Sequence, residues 1–170
     1  MITTHTIPHA IDLGISPIDA AFILSLITGI CIPARMVIGK FSDILGGRVL
    51  AMSCALIQSL SLFWTVQASE LWEFYIFGIA FGISWGGLTT ITTAFVGDIF
   101  GTQNIGKIMG VMSAIWSSGA AIGPALGGFT FDITGNYITA FLTAAVAMLI
   151  VTILLYLINR KPMEHLDTIL

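Results

Sequence analysis

Charge is scarce in this chain. Of its 170 residues only 9% are Asp, Glu, Lys or Arg, against 56% hydrophobic, and the mean hydropathy is +0.99. A monomeric domain surrounded by water needs a polar shell that this composition cannot supply, which excludes a soluble globular domain. There is no basic run and the formal net charge is −3, so no electrostatic footprint for nucleic acid exists. The two cysteines, Cys31 and Cys54, both fall inside apolar runs, lack metal-ligand spacing, and read as small packing residues. No nucleophile paired with a base, no phosphate loop and no metal cluster is visible, so the chain is not read as an enzyme. Alternating polarity is also missing, and with it the signature of spanning strands that close into a barrel.

What remains is apolar runs punctuated by short charged clusters about 20 residues apart, the length of one bilayer-crossing helix. Five stretches qualify as spans, at about 18–38, 49–66, 74–97, 109–131 and 138–158. The expected fold is an all-α membrane protein, a five-helix bundle in which short connections make successive helices antiparallel neighbours. Residues 1–17 are too short and too polar to span and lack the basic start of a signal peptide. They read as the external end of a truncated sixth helix and its loop, so the reading frame is expected to begin inside a longer gene. Residues 159–170 read as a cytoplasmic tail.

Basic residues orient the bundle. Lys40, Arg48, Lys107, Arg160 and Lys161 fall on one face, whereas Asp12, Asp19, Glu70, Glu73 and Asp132 fall on the other. The first face is expected to be cytoplasmic, with the amino end outside, the carboxyl end inside, and the plasma membrane as the location.

Small and hydroxylated residues recur at helical spacing. The third span carries Gly78, Gly82, Trp85, Thr89 and Thr92, and the fourth carries Gly106, Gly110, Ala114, Gly119, Gly123 and Gly127, a pattern that lets helix backbones approach closely. Pro124 kinks or breaks that fourth span. In the first span Ala21, Ser25, Thr28, Ile32, Arg35 and Gly39 form a stripe that ends in a charge. The last span lacks a stripe in its second half and is expected to face lipid, with Tyr137 and Tyr156 at the headgroups. The striped helices are expected to surround a polar path.

Within that path Arg35 is the only basic residue inside a span, where an unpaired charge costs from about 2.5 kcal/mol upward. It reads either as an anion-binding group or as a side chain snorkelling to the interface about 6 Å away, one turn before Gly39. Trp85 either lines the path or packs in the core. His5 and His9 are spaced as a metal pair would be, but no third ligand is near; an external gate or proton-sensitive role is the alternative. His5 joins Arg35 and Trp85 as a candidate substrate-binding residue. Gln58 is expected to bond to a neighbouring helix, and Asp98 to solvate a loop or pair with a basic residue elsewhere.

The segment GKFSDILGGR, residues 39–48, resembles the loop G-x-x-x-D-R-x-G-R-R of the major facilitator superfamily. It matches at Gly39, Asp43, Gly46 and Arg48 and departs at Ile44 and Gly47. A second region, GDIFGTQNIGKIMG followed by GAAIGPALGGFTFDITGNY, is similar to helices ten to eleven of the monocarboxylate and oxalate/formate branch. The resemblance implies that the five spans correspond to helices eight to twelve, half of the bundle of such a carrier. It implies that Arg35 contacts a substrate carboxylate, which a guanidinium can hold through two parallel hydrogen bonds. Monocarboxylate carriers place an Asp one turn earlier, where this chain has Cys31, a departure that counts against proton coupling there. Oxalate/formate exchangers use a Lys in helix eleven, and residues 109–131 contain none. A monocarboxylate is therefore favoured over a dicarboxylate.

The implied function is secondary active transport of a small organic anion by alternating access, with a proton or counter-anion, membrane lipid and a missing amino-terminal half as partners. A non-transporting membrane scaffold derived from a transporter half is the alternative.

Overall fold

The computed structural model describes residues 2–100, 103 and 105–157, with the backbone alone for 98–100. The side chain of Asp98, together with Arg160, Lys161 and the tail expected at 159–170, lies outside the described residues. Six helices follow one another: α1 (Ile2–Asp12), α2 (Pro17–Leu45), α3 (Gly47–Gln67), α4 (Leu71–Phe100), α5 (Ile105–Thr134) and α6 (Ile138–Leu157). Among the described residues there is no strand. Helices α2 to α6 are long and apolar enough to cross a membrane.

Helices α2 to α5 outrun the apolar stretches from which they were expected. Helix α2 has 29 residues, about 43 Å at 1.5 Å per residue, against a hydrocarbon core of about 30 Å. Its start is fixed by Ser16, whose Oγ accepts from the Asp19 amide at 3.2 Å and donates to the Asp19 carboxylate at 2.7 Å, with Pro17 in the first turn. Its end is fixed by Gly46, at φ +85°, a region closed to most L side chains. The ten-residue turn expected at 39–48 is thus a single residue. Lys40 and Asp43 sit on the last turns of α2 and Arg48 on the first turn of α3, because a helix satisfies its own backbone wherever its side chains can reach water.

The main packing partners are not all sequence neighbours. The most extensive contacts join α2 to α4, α3 to α6 and α3 to α4, while α2 touches α3 little and α5 touches α4 and α6 little. Glycines on α4 explain the first pair. A Cβ at Gly82 would stand 2.7 Å from the Ile27 carbonyl oxygen, and one at Gly86 2.7 Å from that of Cys31, so the two backbones meet directly. Gly78 adds a third contact of the same row, beside Leu26 and Ile27. Cys54 of α3 fills the space in front of Gly87. Ser59 of α3 donates to the Ala145 carbonyl of α6 at 2.8 Å, closing the other pair.

The main core lies toward the end where α1 meets α2. Ile23, Ile27, Leu62, Phe74, Phe77 and Phe141 are fully enclosed there, with Ala10 of α1 among them. A smaller cluster of Ala51, Cys54 and Ile91 lies toward the Gly46 end. Tyr137 belongs to the main core: it is buried and stacks on Phe131 at 4.4 Å, so it does not stand at a headgroup as the sequence suggested. Tyr156 is 67% exposed. Only the second half of α6 is bare, since Ala140, Phe141 and Ala145 are buried. Gln58 is buried with its Oε1 unpartnered among the described residues, not bonded to a neighbouring helix as expected. In α5 Gly127 alone is buried, and a Cβ at Gly106, Gly110 or Gly119 would meet nothing within 4 Å.

Candidate substrate path

Helix α2 divides cleanly into two faces. Ala20, Ile23, Ile27, Cys31 and Ala34 are buried against the rest of the chain. The stripe Ala21, Ser25, Thr28, Ile32 and Arg35 is exposed along its whole length. The Ser25 and Thr28 hydroxyls donate to carbonyls of their own helix, Ser25 to Ala21 at 3.2 Å and Thr28 to Leu24 at 3.0 Å and Ser25 at 3.1 Å. Their oxygens keep free lone pairs on that face. Arg35 makes no hydrogen bond or ion pair among the described residues, leaving five N–H donors in a planar fork. It lies ten residues, about 15 Å, before the end of α2 and five residues before Lys40.

The three candidate substrate residues do not share one pocket. Gly86 packs on Cys31 and Ala34, so Trp85 stands at the level of the turn just before Arg35. Its ring is half-buried, with its centroid 6.1 Å from that of Phe81, and so belongs partly to the core. His5 is remote: its Nε2 donates to the Pro124 carbonyl of α5 at 3.0 Å and its ring lies 5.0 Å from Tyr137. At 1.5 Å per residue Arg35 lies about 27 Å beyond Pro17, and His5 about 10 Å beyond Asp12 on the returning α1. Roughly 16 Å therefore separates them along the bundle.

The loop motif separates into different roles. Gly39 lies beside Thr90 of α4, and Gly46 makes the turn. Asp43 is exposed and makes no hydrogen bond or ion pair among the described residues. Arg48 crosses to α6, where Nε donates to the Leu155 carbonyl at 2.9 Å and Nη2 to that of Tyr156. A guanidinium that donates to backbone carbonyls of another helix forms charge-assisted bonds, and these tie the start of α3 to α6. Nothing in the spacing of the sequence announced this partner, 107 residues away. In Arg48→Ala, amide exchange over residues 151–157 is expected to accelerate about tenfold, as loss of a charged hydrogen bond of about 1.5 kcal/mol implies. Asp43→Asn should leave it unchanged, and equal protection in both variants would refute the role of Arg48 in holding α6.

The model of the Major Facilitator Superfamily matches residues 2–168. The chain belongs to the Major Facilitator Superfamily. Monocarboxylate transporter 13 of Rattus norvegicus is 32% identical over 149 residues, covering 85% of this chain and 34% of that protein. An uncharacterized MFS-type transporter of Bacillus subtilis, YcxA, is 29% identical over 152 residues, 81% of this chain and 35% of its own length. Monocarboxylate transporter 11 of Homo sapiens is 27% identical over 147 residues, 81% of this chain and 31% of its own. The chain thus spans about a third of the length of the curated relatives it matches. Family and five apolar helices together make this superfamily member an integral membrane protein. Its relatives are transporters by name, and it stands with them rather than with enzymes.

Proposed function

We propose that the chain forms the carboxyl-terminal part of a secondary carrier that moves a small organic anion, a monocarboxylate, by alternating access. The observation that carries this reading is Arg35: an unpaired guanidinium on an exposed, hydroxyl-bearing face of α2, and the one charged residue between Ala20 and Gly39. Such a charge is retained in a spanning helix where it has an ionic partner or a wet path. A carboxylate fits its fork through two parallel N–H···O bonds, with the lone pairs of Ser25 and Thr28 further along the same stripe available to water or to a substrate hydroxyl. The names of the rat and human relatives support the same chemical class. The Gly46 end, which gathers Lys40, Arg48 and Lys107, is the cytoplasmic one in this reading, and a proton or counter-anion accompanies the substrate. The exposed face of α2 turns toward the amino-terminal half of the carrier across the path.

Uptake of a small monocarboxylate by the carrier that contains this chain tests the assignment. Arg35→Ala is expected to lower uptake about 100-fold and Arg35→Lys about tenfold, since an ammonium keeps the charge but not the paired geometry. Unchanged uptake and substrate affinity in both variants would overturn it.

A further inference from the structure

Where α1 meets the main core, a second titratable group stands apart from the α2 stripe. His9 is 7% exposed, and its Nε2 has no hydrogen-bond partner among the described residues. Its ring is caged by aromatics from two other helices: the centroid lies 5.9 Å from that of Phe74 on α4 and 5.1 Å from that of Phe141 on α6. Tyr137 closes the cage at 6.1 Å. A neutral imidazole fits this surround with one nitrogen left idle. An imidazolium does not, because its second N–H would be buried without an acceptor.

We propose that His9 is a proton-binding site that controls the docking of α1: neutral, it seats α1 against α4 and α6, and protonated, it releases it. The charged groups around it act in known directions. Asp12, on its own helix, and the Thr65 carbonyl at the end of α3 favour the charged form. The α4 and α6 walls present the Phe74 and Phe141 rings, and the residue before α6 presents the Tyr137 phenol. From α5, Asp132 bears on Tyr137, alongside Asp12. Helix α1 lies outside the five candidate spans, and there burial outweighs Asp12 and Thr65, holding His9 below its ordinary value. The docked state therefore binds fewer protons than the released one. Its stability is full above the free imidazole value, about 6.5, and is lost as pH falls below it. His5 behaves differently. Its Nε2 donates to the Pro124 carbonyl at 3.0 Å, a bond that ties α1 to α5 apart from the seat on α4 and α6.

Thiol labelling reads the release directly and does not depend on Arg35 binding an anion. Thr6, 1% exposed on α1, is changed to cysteine in the carrier, and Thr4→Cys, at an exposed position of the same helix, serves as the reference for the pH dependence of the thiol. Maleimide labelling is counted over the parent protein in permeabilised membranes. The Thr6-to-Thr4 labelling ratio is expected to rise at least about tenfold between pH 8 and pH 5.5. It should stay flat when His9→Phe is added, and equally with His9→Gln, which tests the same point should the phenylalanine variant not fold. A flat ratio in the His9 protein, or a rise that persists without the imidazole, overturns the proposal.

Discussion

Gly86→Leu is expected to abolish recovery of folded carrier from the membrane. The hydrogen that a side chain would replace at this position points at the backbone of α2: a Cβ would stand 2.7 Å from the Cys31 oxygen and 3.2 Å from the Ala34 Cβ. A carbonyl inside a helix cannot swing aside, so the two helices must part. Overpacking against a side chain that can yield costs about 1–3 kcal/mol; here the obstacle is backbone, and the expected loss lies at or above that range. Gly82→Leu should behave alike, since its Cβ would lie 2.7 Å from the Ile27 oxygen. The matched control is Gly110→Ala on α5, where a Cβ meets nothing within 4 Å and helix propensity favours alanine by about 1 kcal/mol. Monodisperse yield in detergent separates the cases. Normal recovery of Gly86→Leu would mean that α2 and α4 do not pack by their backbones.

Phe141→Ala carries the second large effect. Phe141 is 1% exposed in the main core and forms one wall of the His9 cage. Deleting a buried phenyl ring removes its contacts and leaves a cavity, at a cost of about 3–5 kcal/mol. The midpoint of thermal unfolding in detergent should fall by several degrees, whereas Tyr156→Ala, at a residue 67% exposed on the same helix, should leave it within error. Equal midpoints for the two variants would show that α6 is not seated through its first half.

The five apolar helices were legible in the sequence because hydropathy alone decides which segments enter a bilayer. Their ends were not. Lys40, Asp43 and Arg48 interrupt the hydropathy without interrupting the helices, so a reading of charge shortens α2 and α3 and turns one residue, Gly46, into a loop. The stripe of α2 was legible as a single face, since period alone places Ala21, Ser25, Thr28, Ile32 and Arg35 together, but its exposure in this chain was not. The stripe of α4 was not of one kind: Gly78 and Gly82 meet α2, while Thr92 is exposed. Small residues mark close approach and polar paths alike, and spacing cannot tell them apart. Tyr137 was misread for a related reason. A tyrosine at the start of a span reads as an interfacial anchor, and only the return of α1 past Phe131 and Phe141 makes that position an interior one. Arg48 and Leu155 are joined across 107 positions, a link that no local pattern encodes.

The one-residue corner at Gly46 has a mechanical consequence. Two long rods joined by a single peptide hinge share only the freedom of a few dihedral angles, so a tilt of α2 must be taken up by α3 rather than absorbed by slack. Helix α3 in turn grips α6 at both levels, through Ser59 to Ala145 and through Arg48 to Leu155. Helices α2 and α6, which make no extensive contact of their own, are thereby connected only through intermediaries, by way of the glycine corner and by way of α4, which packs on both α2 and α3.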